Sequence, residues 1–153
     1  MKFTLTLLLA FQGFIGLCQN SDSTVYATLT GKWNLLSKVK IETSEGKVIN
    51  QEKEIYKQEE KSFEFIASKN IIISQDFGRH SEKLPVRIQG NNLYIGKFQK
   101  NKTPYLIRYD GGQIKLAKTE TKTKKGKTII KTEQVVLQKP QAPDSLRTNL
   151  NNR

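Results

Sequence analysis

Cysteine, histidine and tryptophan are scarce in this chain of 153 residues, which contains one of each. A single cysteine excludes an internal disulfide and a cysteine-based zinc site, and a single histidine excludes a histidine-rich metal centre. With one histidine, a two-histidine metal motif is excluded, and a catalytic triad would depend on that single residue. We therefore expect no catalytic residues, no metal ligands and no cofactor, and the sequence does not predict an enzyme.

The one histidine, His80, lies in a polar stretch with Glu82 two residues later. A histidine oriented by a carboxylate can act as a general base, but this spacing is common in loops. No Gly-x-Ser-x-Gly nucleophile motif accompanies it. We interpret His80 as a loop residue without a chemical role.

Long apolar runs are also lacking, apart from one near the start of the chain. Residues 3–17 are mostly apolar, which is shorter than the roughly 20 residues of a membrane-spanning helix. Gly16 and Cys18 place small side chains where signal peptidase requires them. We therefore expect residues 1–18 to be a signal peptide cleaved before Gln19, and the protein to be exported to the periplasm or secreted.

Two alternatives to simple secretion stay open. A cysteine ends the apolar run, as in acylated lipoproteins, but Leu17 stands where the acylation motif requires a small residue. Retention of the segment as a helix is the other alternative. If cleavage follows Cys18, the mature chain has no cysteine, which suits a bacterial periplasm or exterior better than a eukaryotic secretory pathway.

Acidic residues are outnumbered, 14 against 26 lysines and arginines, so the net charge is +12. Much of the excess lies in one run of lysines and threonines between residues 115 and 131. Such a run keeps an exposed sheet rim soluble, and it would also attract an anionic polysaccharide or a membrane surface. Nucleic acid is a less favoured partner, because no aromatic residues for base stacking lie among the lysines. The candidates for contact with an anionic surface are Lys122, Lys124, Lys125 and Lys127.

The rest of the chain has the length of one domain and three zones of different composition. Residues 19–30 form a polar leader. Residues 31–139 are rich in strand signals. Residues 140–153 contain two prolines and almost no apolar side chains, which predicts a flexible C-terminal tail.

Turn signals recur at short intervals in the middle zone, and apolar residues alternate with polar ones between them. A period of two with one wet face is typical of an antiparallel sheet, so the fold class is all-β. In the first strand the alternation places Trp33, Leu35, Val39 and Ile41 on one face. Nine strands are predicted, near 31–42, 47–57, 62–67, 71–77, 84–89, 93–98, 104–109, 113–123 and 127–138.

An up-and-down meander closes into an antiparallel barrel only with an even number of strands. One of the nine predicted strands is therefore expected to be split or accessory. About eight strands close into a barrel whose interior is either filled by side chains or large enough for one small ligand. Closure also removes the exposed edges of an open sheet.

The start of the first strand, Leu29-Thr30-Gly31-Lys32-Trp33, resembles the Leu-x-Gly-x-Trp opening of lipocalin-like (calycin) domains of exported bacterial proteins. The resemblance covers residues 29–139 in architecture and about five residues in motif. The pair Tyr109-Asp110 matches part of a second family motif, whereas the family's C-terminal helix and disulfide have no counterpart. The resemblance implies that Trp33 closes one barrel end against a basic residue of a late strand, for which Lys131 is the candidate.

It also implies binding of a small, mainly apolar ligand inside the barrel. Two polar residues, Gln75 and Glu133, fall on the apolar faces of their strands; a water- or ligand-filled barrel tolerates them, and a β-bulge would move them outside. The alternative function is a structural or surface-interaction protein with a filled barrel that acts through its basic hairpin. The oligomeric state stays open. The candidate pocket residues are Trp33, Phe65, Ile73, Ile88, Ile95, Tyr105, Ile107 and Tyr109.

Overall fold

The computed structural model describes residues 22–67, 69–97, 99, 102–124 and 126–141. The predicted signal peptide and the tail from residue 142 onward lie outside these residues. The described chain contains one α-helix and nine strands. They are α1 (Asp22–Leu29), β1 (Gly31–Ser44), β2 (Lys47–Ile55), β3 (Ser62–Ile66), β4 (Asn70–Gln75), β5 (His80–Gln89), β6 (Asn92–Ile95), β7 (Tyr105–Asp110), β8 (Gln113–Lys124) and β9 (Lys127–Gln138).

The nine predicted strands are all present, and every strand pair is antiparallel. The largest difference is at β5, which begins at His80 instead of Leu84. Its first residues pair with β4 although their side chains are exposed. A strand exposed on both faces lacks the alternation of polar and apolar residues by which strands are predicted.

The barrel closes through β1, which pairs with different partners along its length. Residues 31–34 pair with β3, and the part from Asn34 to Ser44 pairs with β9. The ring therefore runs β1-β3-β4-β5-β6-β7-β8-β9 and back to β1, while β2 pairs only with β1 outside the ring. This is a closed barrel of eight antiparallel strands with one extra strand, and the parity argument is confirmed.

A β-bulge in β1 changes which side chains face inward. Between Leu35 and Ser37 the pairing with β9 slips by one residue. An extra residue of this kind reverses the alternation of side chains beyond it. Lys38 consequently lies on the inner side, where its ammonium is 3.2 Å from Glu133 Oε1. The prediction of one shared apolar face is therefore wrong for the two apolar residues beyond the bulge, Val39 and Ile41.

The segment expected to be a polar leader contains helix α1, which closes one end of the barrel. Its Val25 and Leu29 are buried in the core. Two hydrogen bonds hold the helix on the barrel: the backbone N–H of Gly90 donates to Asp22 at 2.6 Å, and the Tyr26 hydroxyl donates to the carbonyl of Ile66. The helix is thus part of the folded domain, because its apolar side chains supply the plug that the open barrel end needs.

Trp33 lies directly above this plug and is 4% exposed. Its indole N–H donates to the Leu29 carbonyl at 2.7 Å. The basic residue over its ring is Lys139, just after β9, with the ammonium 5.2 Å from the ring centroid. Lys131, the candidate from the sequence, instead pairs with Glu42 far from Trp33. The residue after the last strand fills the role because β9 ends at the plugged end of the barrel.

Four strands continue past the opposite end of the barrel. In this region β2, β1, β9 and β8 pair with one another, but β3 and β7 have already ended. We call this part the arm; it comprises residues 38–44, 47–54, 118–124 and 127–133. Charged side chains on β2 and lysines and threonines on β8, the two outer strands of the arm, discourage pairing with other chains. Among the described residues, no helix is both long and apolar enough to span a bilayer.

Candidate functional site

A cavity of about 330 Å³ opens at the barrel end from which the arm projects. We call it the cup. Below it the interior is filled by buried side chains, including Phe65, Leu93 and Leu137. The interior is therefore a packed core at the α1 end and an open space at the arm end. The apolar floor of the cup is formed by Leu35, Phe63, Ile73, Ile95 and Val135.

A polar network crosses the wall of the cup. The Tyr105 hydroxyl donates to Glu133 Oε1 at 2.7 Å, and the Lys38 ammonium lies 3.2 Å from the same oxygen. Desolvation raises the pKa of Glu133, but the hydrogen bond from Tyr105 and the charges of Lys38 and Lys118 outweigh it and leave the pKa below its usual value. The cup therefore holds an ionised carboxylate at neutral pH.

Tyr105 is held in place from two sides. Lys118 lies over its ring, with the ammonium 4.9 Å from the centroid, while its hydroxyl is bonded to Glu133. Burial and this hydrogen bond raise the pKa of Tyr105, so the phenol stays protonated and remains a donor. The ring thus presents an apolar face and a fixed polar edge to the cavity.

Two further lysines line the cup, and their ammonium groups contact an aromatic ring or backbone carbonyls. Lys61 lies 5.4 Å from the ring centroid of Tyr56. Lys102 donates to the carbonyls of Ile95 and Lys97, the latter at 3.3 Å. Within the described chain, neither ammonium is within 4.0 Å of a carboxylate oxygen. An apolar floor with cationic and hydrogen-bonding groups at its rim suits an amphipathic molecule.

Three of the eight predicted pocket residues, Ile73, Ile95 and Tyr105, line the cup. Three others lie in the packed core below it: Trp33, Phe65 and Ile107. They were indistinguishable from the first group in the sequence because alternation shows the inward face but not the height along the barrel.

The last two pocket candidates lie away from the cup. Ile88 packs against the core and lines a groove of about 630 Å³ between α1, the β3–β4 turn and β5. Tyr109 is 44% exposed, and its hydroxyl donates to the Val25 carbonyl at 3.4 Å, so it helps to hold the helix. The structure therefore does not gather the eight residues into one pocket.

Gln75 and Glu133, the polar residues on apolar strand faces, both line the cup. The break in the apolar pattern was thus a usable signal for the cavity. Lys38 gave no such signal, because its inward position depends on the β-bulge before it. Lys61 lies in the connection between β2 and β3, where alternation carries no information.

The interpretation of His80 as a loop residue is wrong, because it is the first residue of β5; it is exposed, and its Nε2 lies 3.6 Å from Asp76 Oδ2. No group of three or more potential metal-binding His, Cys, Asp or Glu side chains occurs in the described part of the chain. Of the basic-hairpin candidates, Lys122, Lys124 and Lys127 are exposed near the end of the arm. Lys125 lies outside the described residues.

The protein is thus a closed barrel of eight antiparallel strands with one extra strand. One end is plugged by α1, and the other end opens into the cup with its polar rim. No protein-family model, no curated protein and no solved structure matches this chain. The functional argument therefore rests on the geometry of the barrel itself.

Proposed function

We propose that this protein is an exported lipocalin-like binding protein that holds a small, mainly apolar ligand in the cup. The observation that carries the proposal is the change of the barrel interior from a close-packed core to a cavity of about 330 Å³. A space of this kind, recessed into the barrel and open at one end, can enclose most of a small ligand. The volume lies at the lower end of small-molecule sites.

The lining supports a ligand with an apolar body and one polar end. Ile73, Ile95 and Phe63 offer apolar contact at the floor, whereas Tyr105 and Glu133 meet at the wall. Burial of the apolar body would supply most of the affinity, and the polar pair would orient the ligand. The Leu29 to Trp33 opening and the eight-stranded barrel support the lipocalin-like assignment.

The test is binding of a neutral, environment-sensitive dye such as Nile red, followed by fluorescence. The dye should bind with little dependence on salt, because apolar burial is not screened. Replacement of Ile95 by Trp should fill the cup and weaken binding about tenfold or more. The matched control is Ile88→Trp, which enlarges a side chain outside the cup and should leave binding unchanged.

The alternative of a structural protein with a filled barrel makes the opposite prediction. It expects no saturable dye binding, or binding that Ile88→Trp weakens as much as Ile95→Trp does. Either result would contradict the cup as a ligand site. The barrel fold would not be affected by that outcome.

A further inference from the structure

The net charge on the inner face of the arm changes from slightly negative to positive with distance from the barrel. Nearest the cup, Glu52, Lys40, Glu133 and Lys118 lie side by side in register across four strands. The next such row is Asn50, Glu42, Lys131 and Glu120. Ion pairs form within the first row, as between Lys40 and Glu52 at 3.3 Å, and between the two rows, as between Lys118 and Glu120 at 3.2 Å. The two rows together contain three lysines and four glutamates, a net charge of −1, and Glu120 also pairs with Lys122 further along β8 at 3.5 Å.

At the end of the arm lysines outnumber carboxylates, although Lys127 pairs with Glu45 at 3.8 Å. Because β1 pairs with β9, the β1–β2 and β8–β9 turns lie next to each other. We call residues 44–49, 122–124 and 126–129 the tip. Four lysines of the described tip stand against one glutamate, Glu45, which leaves a net charge of +3. The lysines are Lys47, Lys122, Lys124 and Lys127.

Two isoleucines lie among these lysines. Ile49 and Ile129 line one depression of about 380 Å³ together with Lys47, Lys124 and Lys127. Ile49 is 55% exposed. Threonines, which alternate with other polar residues along β8, would be sufficient at these two positions if the tip only had to be soluble. Two isoleucines that share a depression with three lysines at the end of the arm suit a surface that is both apolar and anionic.

We propose that the tip is a docking surface for the face of an anionic phospholipid bilayer. Isoleucine side chains gain free energy at the boundary of the acyl chains, while lysines reach the headgroup phosphates above it. An anionic polysaccharide would engage the lysines but leave Ile49 and Ile129 in water. The isoleucines therefore favour the bilayer over the polysaccharide.

The tip also stands on the same face as the mouth of the cup. Along β9, the alternate residues Glu133, Lys131 and Ile129 lead from the cup wall to the tip, and the pairing with β8 is continuous over this stretch. Docking would thus bring the open end of the barrel to the membrane and keep the plugged end away from it. The docking surface consists of tip residues alone, so this proposal does not depend on a ligand in the cup.

The experiment is sedimentation with vesicles of phosphatidylcholine, with and without about one part in four of phosphatidylglycerol. The protein is taken from the exported fraction of its expression host, and all variants carry the same N-terminus, checked by intact mass. The wild type should bind the anionic vesicles and release them as salt rises to a few tenths molar. Neutral vesicles should bind it far more weakly.

Two double variants separate the contributions of charge and apolar contact. Lys47→Gln with Lys124→Gln should weaken binding by roughly fivefold per lysine. Ile49→Thr with Ile129→Thr should weaken binding to vesicles about tenfold or more, yet leave binding to dextran sulfate unchanged. Threonine keeps the β-branched shape, so the strands should persist.

Matched controls remove the same groups elsewhere. Ile55→Thr changes an isoleucine that is 73% exposed but lies outside the tip, and Lys57→Gln with Lys83→Gln changes two exposed lysines away from the arm. Neither control should lose more than about twofold in binding. Fluorescence of Trp33, buried at the opposite end, verifies that each variant is folded.

Three results would overturn the proposal. One is absence of wild-type binding to the anionic vesicles. Another is a loss in the control variants as large as in the tip variants. The third is a vesicle affinity that the isoleucine variant does not alter, together with equally tight binding to dextran sulfate, which would assign the tip to a polysaccharide.

Discussion

The Tyr105 hydroxyl donates a hydrogen bond of 2.7 Å to Glu133 Oε1, which joins β7 to β9 across the intervening strand β8. Glu133 also accepts from Lys38, whose inward position results from the β-bulge in β1. A half-buried carboxylate is costly to hold unless donors and cations surround it. The cup wall supplies them, and the pKa of Glu133 is lowered as a result.

This pair predicts a specific dependence of stability on pH. A lowered folded-state pKa contributes stability that is present above the unfolded value of 4.5 and is lost as pH falls through the folded value. Replacement of Glu133 by Gln should therefore reduce the loss of unfolding free energy between about pH 6 and pH 3. Urea unfolding at several pH values measures it. The matched control is Glu64→Gln, an exposed carboxylate on β3; an equal effect there would contradict the role of Glu133.

Trp33 should be among the most stabilising side chains of the plugged end. Its removal by Trp33→Ala leaves a cavity against α1 and should lower the free energy of unfolding by about 3–5 kcal/mol. Trp33→Phe keeps most of the apolar volume and should cost less. Urea unfolding compares the two variants. A loss below about 1 kcal/mol for Trp33→Ala would mean that this end is not closed by packing.

Gly31 links the helical plug to the first strand with a backbone φ of +113°. A side chain at this φ is strained even though open space surrounds the position. Gly31→Ala should therefore destabilise the fold by more than about 1 kcal/mol, although alanine normally stabilises a chain by restricting its unfolded state. Thermal unfolding measures the change. A neutral or stabilising effect would show that the helix and β1 meet with a different backbone geometry.

The N-terminus is predicted to be Gln19 without attached lipid, because Leu17 does not fit the acylation motif. Intact mass of the exported protein tests this directly. A fatty-acylated Cys18 at the N-terminus would replace secretion with lipid anchoring. Retention of residues 1–18 would contradict both.

The plan of the barrel was accessible from local patterns. Alternation between short turns indicated nine strands, and the even number needed for antiparallel closure required one of them to be accessory. The Gly31 to Trp33 opening indicated where the first strand begins. Even Gln75 and Glu133 pointed to a cavity, because polar side chains on an apolar face need water, partners or a ligand.

The height of each residue along the barrel could not be predicted in the same way. Ile95 and Ile107 occupy equivalent inward positions, yet one lines the cup and the other lies in the packed core. The difference depends on how far each strand reaches and on which strands flank it. Those are relations between distant segments, and local alternation does not encode them.

The amino-acid sequence by itself determined the strands, their alternation, the turn positions and the excess of positive charge, since each depends on neighbouring residues. The tertiary structure alone decided that Val25 and Leu29 plug the barrel, that Lys139 covers Trp33 and that Lys38 turns inward beyond the bulge. It also decided that Ile49 and Ile129 meet among the lysines of the tip. Each of these arrangements brings together residues from separate elements, and it forms when burial of the apolar faces closes the strands around one core.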